Sequence, residues 1–160
     1  MRDIDRTKEQ LIDELMEMRQ QIAGLEALET NLKQSEELFR MLFYSSPIGI
    51  YIVQDGYFRF VGHEFVRITD HSEDELIGTP SLNLVLLEDR NAVRENAAKM
   101  LKGEHSLGYE FRLVTKRAVI KWVTETVAPI TYQGKRATLG NLIDITERKQ
   151  PPMLEIYPYQ

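Results

Sequence analysis

The sequence contains no cysteine among its 160 residues. This absence excludes a disulfide scaffold, an iron–sulfur cluster, a zinc–thiolate site and a cysteine nucleophile. Basic residues are also few: 20 lysines and arginines face 25 acids, and the formal net charge is −5. No positive field therefore attracts nucleic acid or an anionic membrane.

The longest apolar-rich run, Leu82–Leu87, is too short to span a bilayer, and the polar N terminus does not resemble a signal peptide. We therefore expect a cytoplasmic protein without a membrane segment or a nucleic-acid partner.

The first 40 residues contain no proline and only one glycine, Gly24, which is typical of a long helix. Their apolar side chains recur at steps of four and three residues, first along Leu11, Leu15, Met18, Ile22 and Leu25 and then, in a shifted phase, along Leu28, Leu32, Phe39 and Leu42. Such a seam is typical of a coiled coil, and the phase shift overwinds it locally. Residues 1–40 are therefore predicted to form a coiled-coil helix that holds a homodimer. A helix folded back onto its own domain is the alternative.

Residues 41–149 have a different composition, because eight of the nine glycines lie after residue 48. A β-hairpin is predicted at residues 48–61, since Asp55-Gly56 is a typical hairpin turn between two apolar runs. Alternation along its second strand places Phe58 and Phe60 on one face.

The rest of this region alternates between helix and strand signals. Ser72 and Glu75 have the spacing of a capping box, and a longer helix is predicted from Glu88 to Lys102. Three strands are predicted after it, at residues 107–115, 119–131 and 135–143. This order indicates an α+β domain with an antiparallel sheet. Residues 150–160 are predicted to be a short proline-containing tail.

Several motifs follow one another in this region: Ile68-Thr-Asp-His-Ser-Glu-Asp-Glu-Leu-Ile-Gly78, Tyr109-Glu-Phe-Arg-Leu113 and Gly140-Asn-Leu-Ile-Asp-Ile-Thr-Glu-Arg-Lys149. In order and spacing they resemble a PAS domain with its C-terminal PAC half. The resemblance implies a five-stranded antiparallel sheet with short helices on one face, often preceded by a coiled-coil helix. Arg117-Ala118 stand where the family often has Asp-Gly, which predicts a longer or differently registered turn.

The same resemblance implies a role in signalling. PAS domains typically form the sensory input of sensor kinases in two-component systems, or of cyclic-dinucleotide enzymes. Together with the dimer expected from the N-terminal helix, this predicts a dimeric module that relays its signal to a downstream effector domain or partner protein. A ligand-free dimerisation or adaptor module with a filled core is the alternative.

Catalysis is not predicted from these residues. The three histidines, His63, His71 and His105, fall at predicted element ends or loops, and the glycines form no phosphate-binding cluster. The acidic pairs are explained as first-turn charges of helices. We therefore expect no catalytic residue, no metal site and no enzymatic activity in this chain.

The sequence does not identify a cofactor, but it restricts the candidates. A light-sensing flavin adduct needs a cysteine, and haem-binding relatives use a histidine on the helix that here spans residues 88–102 and contains none. A small organic ligand or a non-covalent flavin remains possible. The candidate pocket lining comprises large apolar side chains of the predicted core: Phe58, Phe60, Phe65, Ile68, Met100, Trp122 and Leu142. The alternative is that these side chains fill the core.

The end of the domain is a candidate exit route for the signal. Asp144-Ile-Thr-Glu147 has capping-box spacing for a helix that starts at Ile145 and is stopped by Pro151-Pro152. The resemblance implies that this motif joins the sheet to an output helix, with Asp144, Thr146 and Arg148 as signal-relay residues.

Overall fold

The computed structural model describes residues 7–150. The predicted proline-containing tail from residue 151 onward lies outside the described residues. Two compact units meet in the chain between Ser45 and Ser46.

The first unit is one helix, α1, from Lys8 to Ser45. It begins with a capping box, since the Thr7 hydroxyl accepts from the Gln10 N–H at 3.3 Å and the Gln10 side chain accepts from the Thr7 N–H at 3.0 Å. Its 38 residues extend for about 57 Å at 1.5 Å per residue. No residue of α1 is buried, so the apolar side chains of its seam are exposed to solvent. The predicted long N-terminal helix is confirmed, and it continues five residues beyond residue 40.

The second unit contains a five-stranded antiparallel sheet in the order β2-β1-β5-β4-β3. The strands are β1 Gly49–Gln54, β2 Tyr57–Val61, β3 Tyr109–Val114, β4 Ile120–Tyr132 and β5 Lys135–Asp144. This arrangement confirms the predicted α+β fold class. The chain enters at one edge, crosses to the other edge through the helices, and returns by two hairpins to the centre.

Short helices cover one face of this sheet, called here the inner face. They are α2 His63–Thr69, α3 Glu73–Leu76 and α4 Arg90–Leu101, with 3₁₀ turns at Ser81–Leu84 and Leu87–Asp89. The helix that was predicted to begin at Glu88 is α4, and it begins at Arg90. A last short helix, α5, spans Thr146–Lys149. The apolar core lies between these helices and the inner face, with Phe65, Val93 and Leu142 among its members.

The predicted capping box is present at the start of α3. The Ser72 hydroxyl accepts from the Glu75 N–H at 3.3 Å, and the Glu75 carboxylate accepts from the Ser72 N–H at 3.0 Å. Both groups therefore satisfy N–H donors that the first turn of a helix leaves unpaired.

Two turns position the strands. Asp55 and Gly56 both have positive φ, 55° and 84°, as a tight hairpin turn requires. Between β3 and β4, Thr115 and Val119 close a three-residue loop in which Ala118 has φ 62°. An alanine in this conformation costs about 1–2 kcal/mol, and the loop is one residue longer than the Asp-Gly type of turn.

A β-bulge changes the faces of β2. Val53 pairs with Phe58, but Ile52 pairs with Phe60, so Arg59 is an extra residue in the strand. Phe60 therefore turns to the outer face of the sheet, and Val61 turns inward and is buried. The expectation that Phe58 and Phe60 share a face is wrong, because strict alternation fails at a bulge.

Candidate functional site

Two cavities lie between the inner face of the sheet, the 3₁₀ turn Ser81–Leu84 and α4. The smaller, of about 50 Å³, lies within the core beside Phe58, Phe65 and Leu142. The larger, of about 270 Å³, lies under α4. Five residues line both, namely Tyr51, Ser81, Leu82, Val93 and Glu125.

A buried carboxyl group forms the polar centre of this region. Glu125 of β4 is only 5% exposed. The Tyr51 hydroxyl donates a hydrogen bond to its Oε1, and the Tyr109 hydroxyl donates to its Oε2. Tyr109 lies directly opposite Glu125 on β3, whereas Tyr51 reaches it from β1 across the intervening strand β5. We call these three residues the Tyr–Glu–Tyr cluster.

Gly140 makes the reach of Tyr51 possible. It pairs with Tyr51 on one side and with Val127 on the other. A Cβ atom at residue 140 would lie 2.0 Å from Cζ and 2.4 Å from the hydroxyl oxygen of Tyr51. The tyrosine ring therefore lies directly on the glycine backbone, and no side chain can occupy that space. Phe58 and Phe65 hold the ring there, with centroids 5.6 and 5.1 Å from that of Tyr51.

Burial controls ionisation in the cluster. Desolvation raises the pKa of Glu125, and the hydrogen bonds from Tyr109 and Tyr51 oppose that rise only in part. Desolvation also raises the pKa of Tyr51 and Tyr109, with the negative charge of Glu125 adding to the effect. Both phenols therefore keep their protons, and the pKa of Glu125 is raised above its ordinary value.

This shift predicts a pH-dependent stability. Below the ordinary glutamate pKa of about 4.3, Glu125 is protonated in both folded and unfolded chains. As the pH rises through that value, the unfolded chain releases the proton while the folded chain retains it, so the folded state loses relative stability until its own raised pKa is passed. The side chain of Glu125→Gln cannot titrate. Over this window, the free energy of unfolding of the variant should therefore rise relative to that of the wild type by up to about 1.4 kcal/mol per pH unit.

The measurement is the difference in free energy of unfolding between the two proteins from pH 4 to 8. Other carboxyl groups, such as Asp89 beside Arg112, have a pKa that is lowered by an ion pair. Their contribution to the pH dependence of stability is the same in both proteins and cancels in the difference. A difference that stays constant across the range would show that Glu125 ionises normally.

The seven predicted lining residues lie in three places. Phe58, Phe65 and Leu142 line the smaller cavity. Ile68 and Met100 are buried in the core but line neither cavity. Phe60 and Trp122 point to the outer face, Phe60 because of the bulge and Trp122 because it alternates with the fully buried Val123. The site therefore brings together three of the seven.

The polar residues of the site were not predicted. A signal for Glu125 is present in the sequence, since it stands between Val123 and Val127 on the inward side of β4, where an ionisable residue needs a partner. No local pattern shows which partners it has, because Tyr51 is 74 residues away along the chain.

The start of α5 carries the predicted relay residues. Oδ1 of Asp144 accepts from the N–H of Thr146 at 2.9 Å and from its hydroxyl at 2.6 Å. The helix begins at Thr146, one residue later than predicted, and Asp144 bonds Thr146 rather than Glu147. The Thr146 hydroxyl also accepts from the Trp122 N–H at 3.1 Å. Arg148 is exposed.

Further contacts fasten α5 to the outer face. Ile145 is buried, and its N–H donates to the Trp122 carbonyl at 2.9 Å. The Lys149 ammonium lies 5.0 Å from the centre of the Trp122 ring and pairs with Glu110 of β3. The helix α5 is thereby attached to β3 and β4, the two strands that also carry Tyr109 and Glu125.

Within residues 7–150, no group of three histidine, aspartate or glutamate side chains has the geometry to hold a metal ion. None of the helices in the same range is both long and apolar enough to cross a bilayer.

Comparison with known proteins gives the same fold. Residues 58–140, more than half of the chain, match the family described as PAS fold. Among solved structures, the PAS domain of a protein from Colwellia psychrerythraea is 21% identical, with a TM-score of 0.62 over 73% of this chain and 98% of that one. The PAS domain of an HTR-like protein from Haloarcula marismortui is 19% identical, with a TM-score of 0.58 over 75% and 99%.

A third similar structure is a sensory box histidine kinase/response regulator from Burkholderia thailandensis. It is 17% identical, with a TM-score of 0.54 over 69% of this chain and 86% of that one. No curated protein matches the chain.

Proposed function

Since the chain belongs to the PAS-fold family of sensory modules, we propose that it is the dimeric, cytoplasmic input module of a bacterial-type regulatory protein and that it senses a small organic molecule. The observation that carries this proposal is the cavity of about 270 Å³ with the Tyr–Glu–Tyr cluster in its wall. An apolar cavity with a few fixed polar groups is typical of a ligand site. The output is a sensor-kinase or cyclic-dinucleotide domain, or a partner protein.

The volume of the cavity limits the size of the ligand. A cavity of about 150 Å³ holds one benzene molecule, so 270 Å³ accommodates a single ring with a short chain. A flavin mononucleotide, with three fused rings and a phosphorylated chain, exceeds this space. We therefore propose a small organic ligand rather than flavin.

The direct test is to identify what the protein carries. The full chain is purified, denatured, and its released small molecules are analysed by mass spectrometry beside an absorption spectrum of the native protein. A one-ring compound present in the protein extract and absent from an equally treated control protein supports sensing. A visible flavin or haem band contradicts the proposed ligand class.

A ligand-free adaptor is the second candidate function. It is favoured by the close packing of Tyr51, Phe58 and Phe65, whose ring centroids lie 5.1–5.6 Å apart. In that case the extract is empty and no small molecule stabilises the protein. Ligand binding and dimerisation are separate properties. A dimer held by α1 is therefore compatible with both the sensor and the ligand-free adaptor.

Signal exit is proposed to run through Asp144 and Thr146. Asp144→Ala removes two hydrogen bonds at the start of α5, a loss that costs about 1 kcal/mol in a typical cap. The fold and the dimer should remain, while the amides of residues 145–150 exchange about fivefold faster. Glu147→Ala is the matched control, since it removes a carboxylate from the same helix without removing a described hydrogen bond.

Hydrogen exchange followed by mass spectrometry distinguishes these variants. Equal protection of residues 145–150 in the wild type and in Asp144→Ala would show that Asp144 does not hold the exit helix. The relay would then have to use another contact, such as that between Lys149 and Trp122.

A further inference from the structure

In the part of the chain that the structure describes, the carboxyl group of Glu125 has no charged partner. Among residues 7–150, none of the ion pairs includes it, although it is 5% exposed and lines both cavities. A buried carboxylate is stable only when it is paired or fully hydrogen-bonded. Two tyrosines supply one hydrogen bond to each oxygen, and each carboxylate oxygen can accept another. The cluster therefore has unused acceptor capacity beside the cavity.

The rest of the larger cavity is mainly apolar. Its wall is formed by aliphatic side chains of the sheet and of α4, among them Val53, Val93, Ala97, Leu101 and Val127. A ligand that enters must therefore match an apolar surface with one strong acceptor, Glu125, in its wall.

We propose that the cavity selects a small molecule with an apolar body and one protonated amine, whose ammonium group pairs with the carboxylate of Glu125. This inference rests on the proposed function, since it assumes that the cavity binds a ligand. An ammonium group has three donors and no acceptor, which complements a carboxylate whose remaining capacity is for accepting.

Proton balance gives the proposal a measurable consequence. Below its raised pKa, Glu125 of the empty cavity is a neutral acid, and the amine arrives from water as a cation. The two form an ammonium–carboxylate pair, and the carboxyl proton is released to solvent. Binding of the amine therefore releases a proton below the raised pKa of Glu125, and affinity increases as the pH rises toward that value.

Three other groups of the cavity bear on this pH dependence. The phenols of Tyr51 and Tyr109 face Glu125 and stay protonated, because burial raises the pKa of both. Arg94 of α4 also lines the cavity. Its side chain is exposed, so water and salt screen its charge far more than the protein screens that of the buried Glu125.

Three probes of similar shape separate the charge classes: 2-phenylethylamine, 2-phenylethanol and phenylacetate. All have one ring and a two-carbon chain, which suits the size of the cavity. The cation should bind the full-length wild type at least about tenfold more tightly than the alcohol at pH 7, since hydrogen bonds to charged groups are the stronger ones. Titration calorimetry in buffers of different ionisation enthalpy measures both the affinity and the proton release.

Glu125→Gln provides the matched variant, because it keeps the shape and removes the charge. It should lose the preference for the amine over the alcohol and the proton release, while binding of the alcohol shows that its cavity is intact. The comparison of probes on the wild type needs no variant, so a failure of Glu125→Gln to fold leaves the proposal testable.

The remaining outcomes overturn the proposal in distinguishable ways. If the alcohol binds the wild type as tightly as the amine, the cavity binds ligands but not amines in particular. If phenylacetate binds most tightly, Arg94 rather than Glu125 determines the ligand. If none of the probes binds and the purified protein carries no small molecule, the proposed sensing function itself fails.

Discussion

Gly140→Ala should destabilise the domain by about 3–5 kcal/mol. The added methyl group would lie 2.0 Å from the ring of Tyr51, and the ring can move aside only by displacing Phe58 and Phe65, which pack against it. Overpacking of a core costs about 1–3 kcal/mol, and loss of the hydrogen bond to the buried Glu125 adds about 1.5–3 kcal/mol. Denaturant unfolding followed by circular dichroism measures the change.

A double-mutant cycle shows whether Tyr51 is the cause. In a Tyr51→Leu background no ring lies on residue 140, so Gly140→Ala should cost much less there than in the wild type. Gly24→Ala is the control for the substitution itself, since nothing lies within 4 Å of its added Cβ atom. An equal cost in both backgrounds would place the effect in the backbone of β5 instead.

Ile22→Glu should convert a homodimer of the full chain into monomers. The seam of α1 is apolar and exposed, with side chains such as Leu15 and Leu25 more than half accessible. A single helix of this kind is marginally stable in water and needs a partner helix. A charge in the seam has no partner in that interface, so the dimer dissociates and the helix content of α1 falls.

Gln20→Glu adds the same charge on the opposite face of α1 and should leave the dimer unchanged. Light scattering distinguishes the 18.6 kDa monomer from the dimer, and deletion of residues 1–40 should give the monomer as well. A dimer that survives both Ile22→Glu and the deletion would place the contact on the sheet unit rather than on α1.

Local sequence patterns predicted most of the fold. The turn at Asp55-Gly56, the capping box at Ser72 and the three long strands each depend on residues close together in the chain, and each is present in the structure. The bulge at Arg59 was not predicted because it depends on how β1 pairs with β2. A single extra residue there moved Phe60 to the opposite face.

The candidate site was harder to predict for a related reason. Apolar residues identified the core, but its polar centre joins Tyr51, Tyr109 and Glu125 from three different strands. Their meeting depends on strand order, which places β5 with its small Gly140 between β1 and β4. Trp122 shows the opposite error, since a large aromatic residue was assigned to the core although its strand position places it outside.

The position of Trp122 gives the protein an optical probe of its own. It is the single tryptophan of the chain, and the centre of its ring lies 5.6 Å from the guanidinium carbon of Arg112 and 5.0 Å from the ammonium of Lys149 in α5. Detachment of α5 removes one positive charge from the ring and exposes the indole to water, and both changes alter its fluorescence. Time-resolved emission of the unmodified protein can therefore follow the attachment of α5 without any added dye.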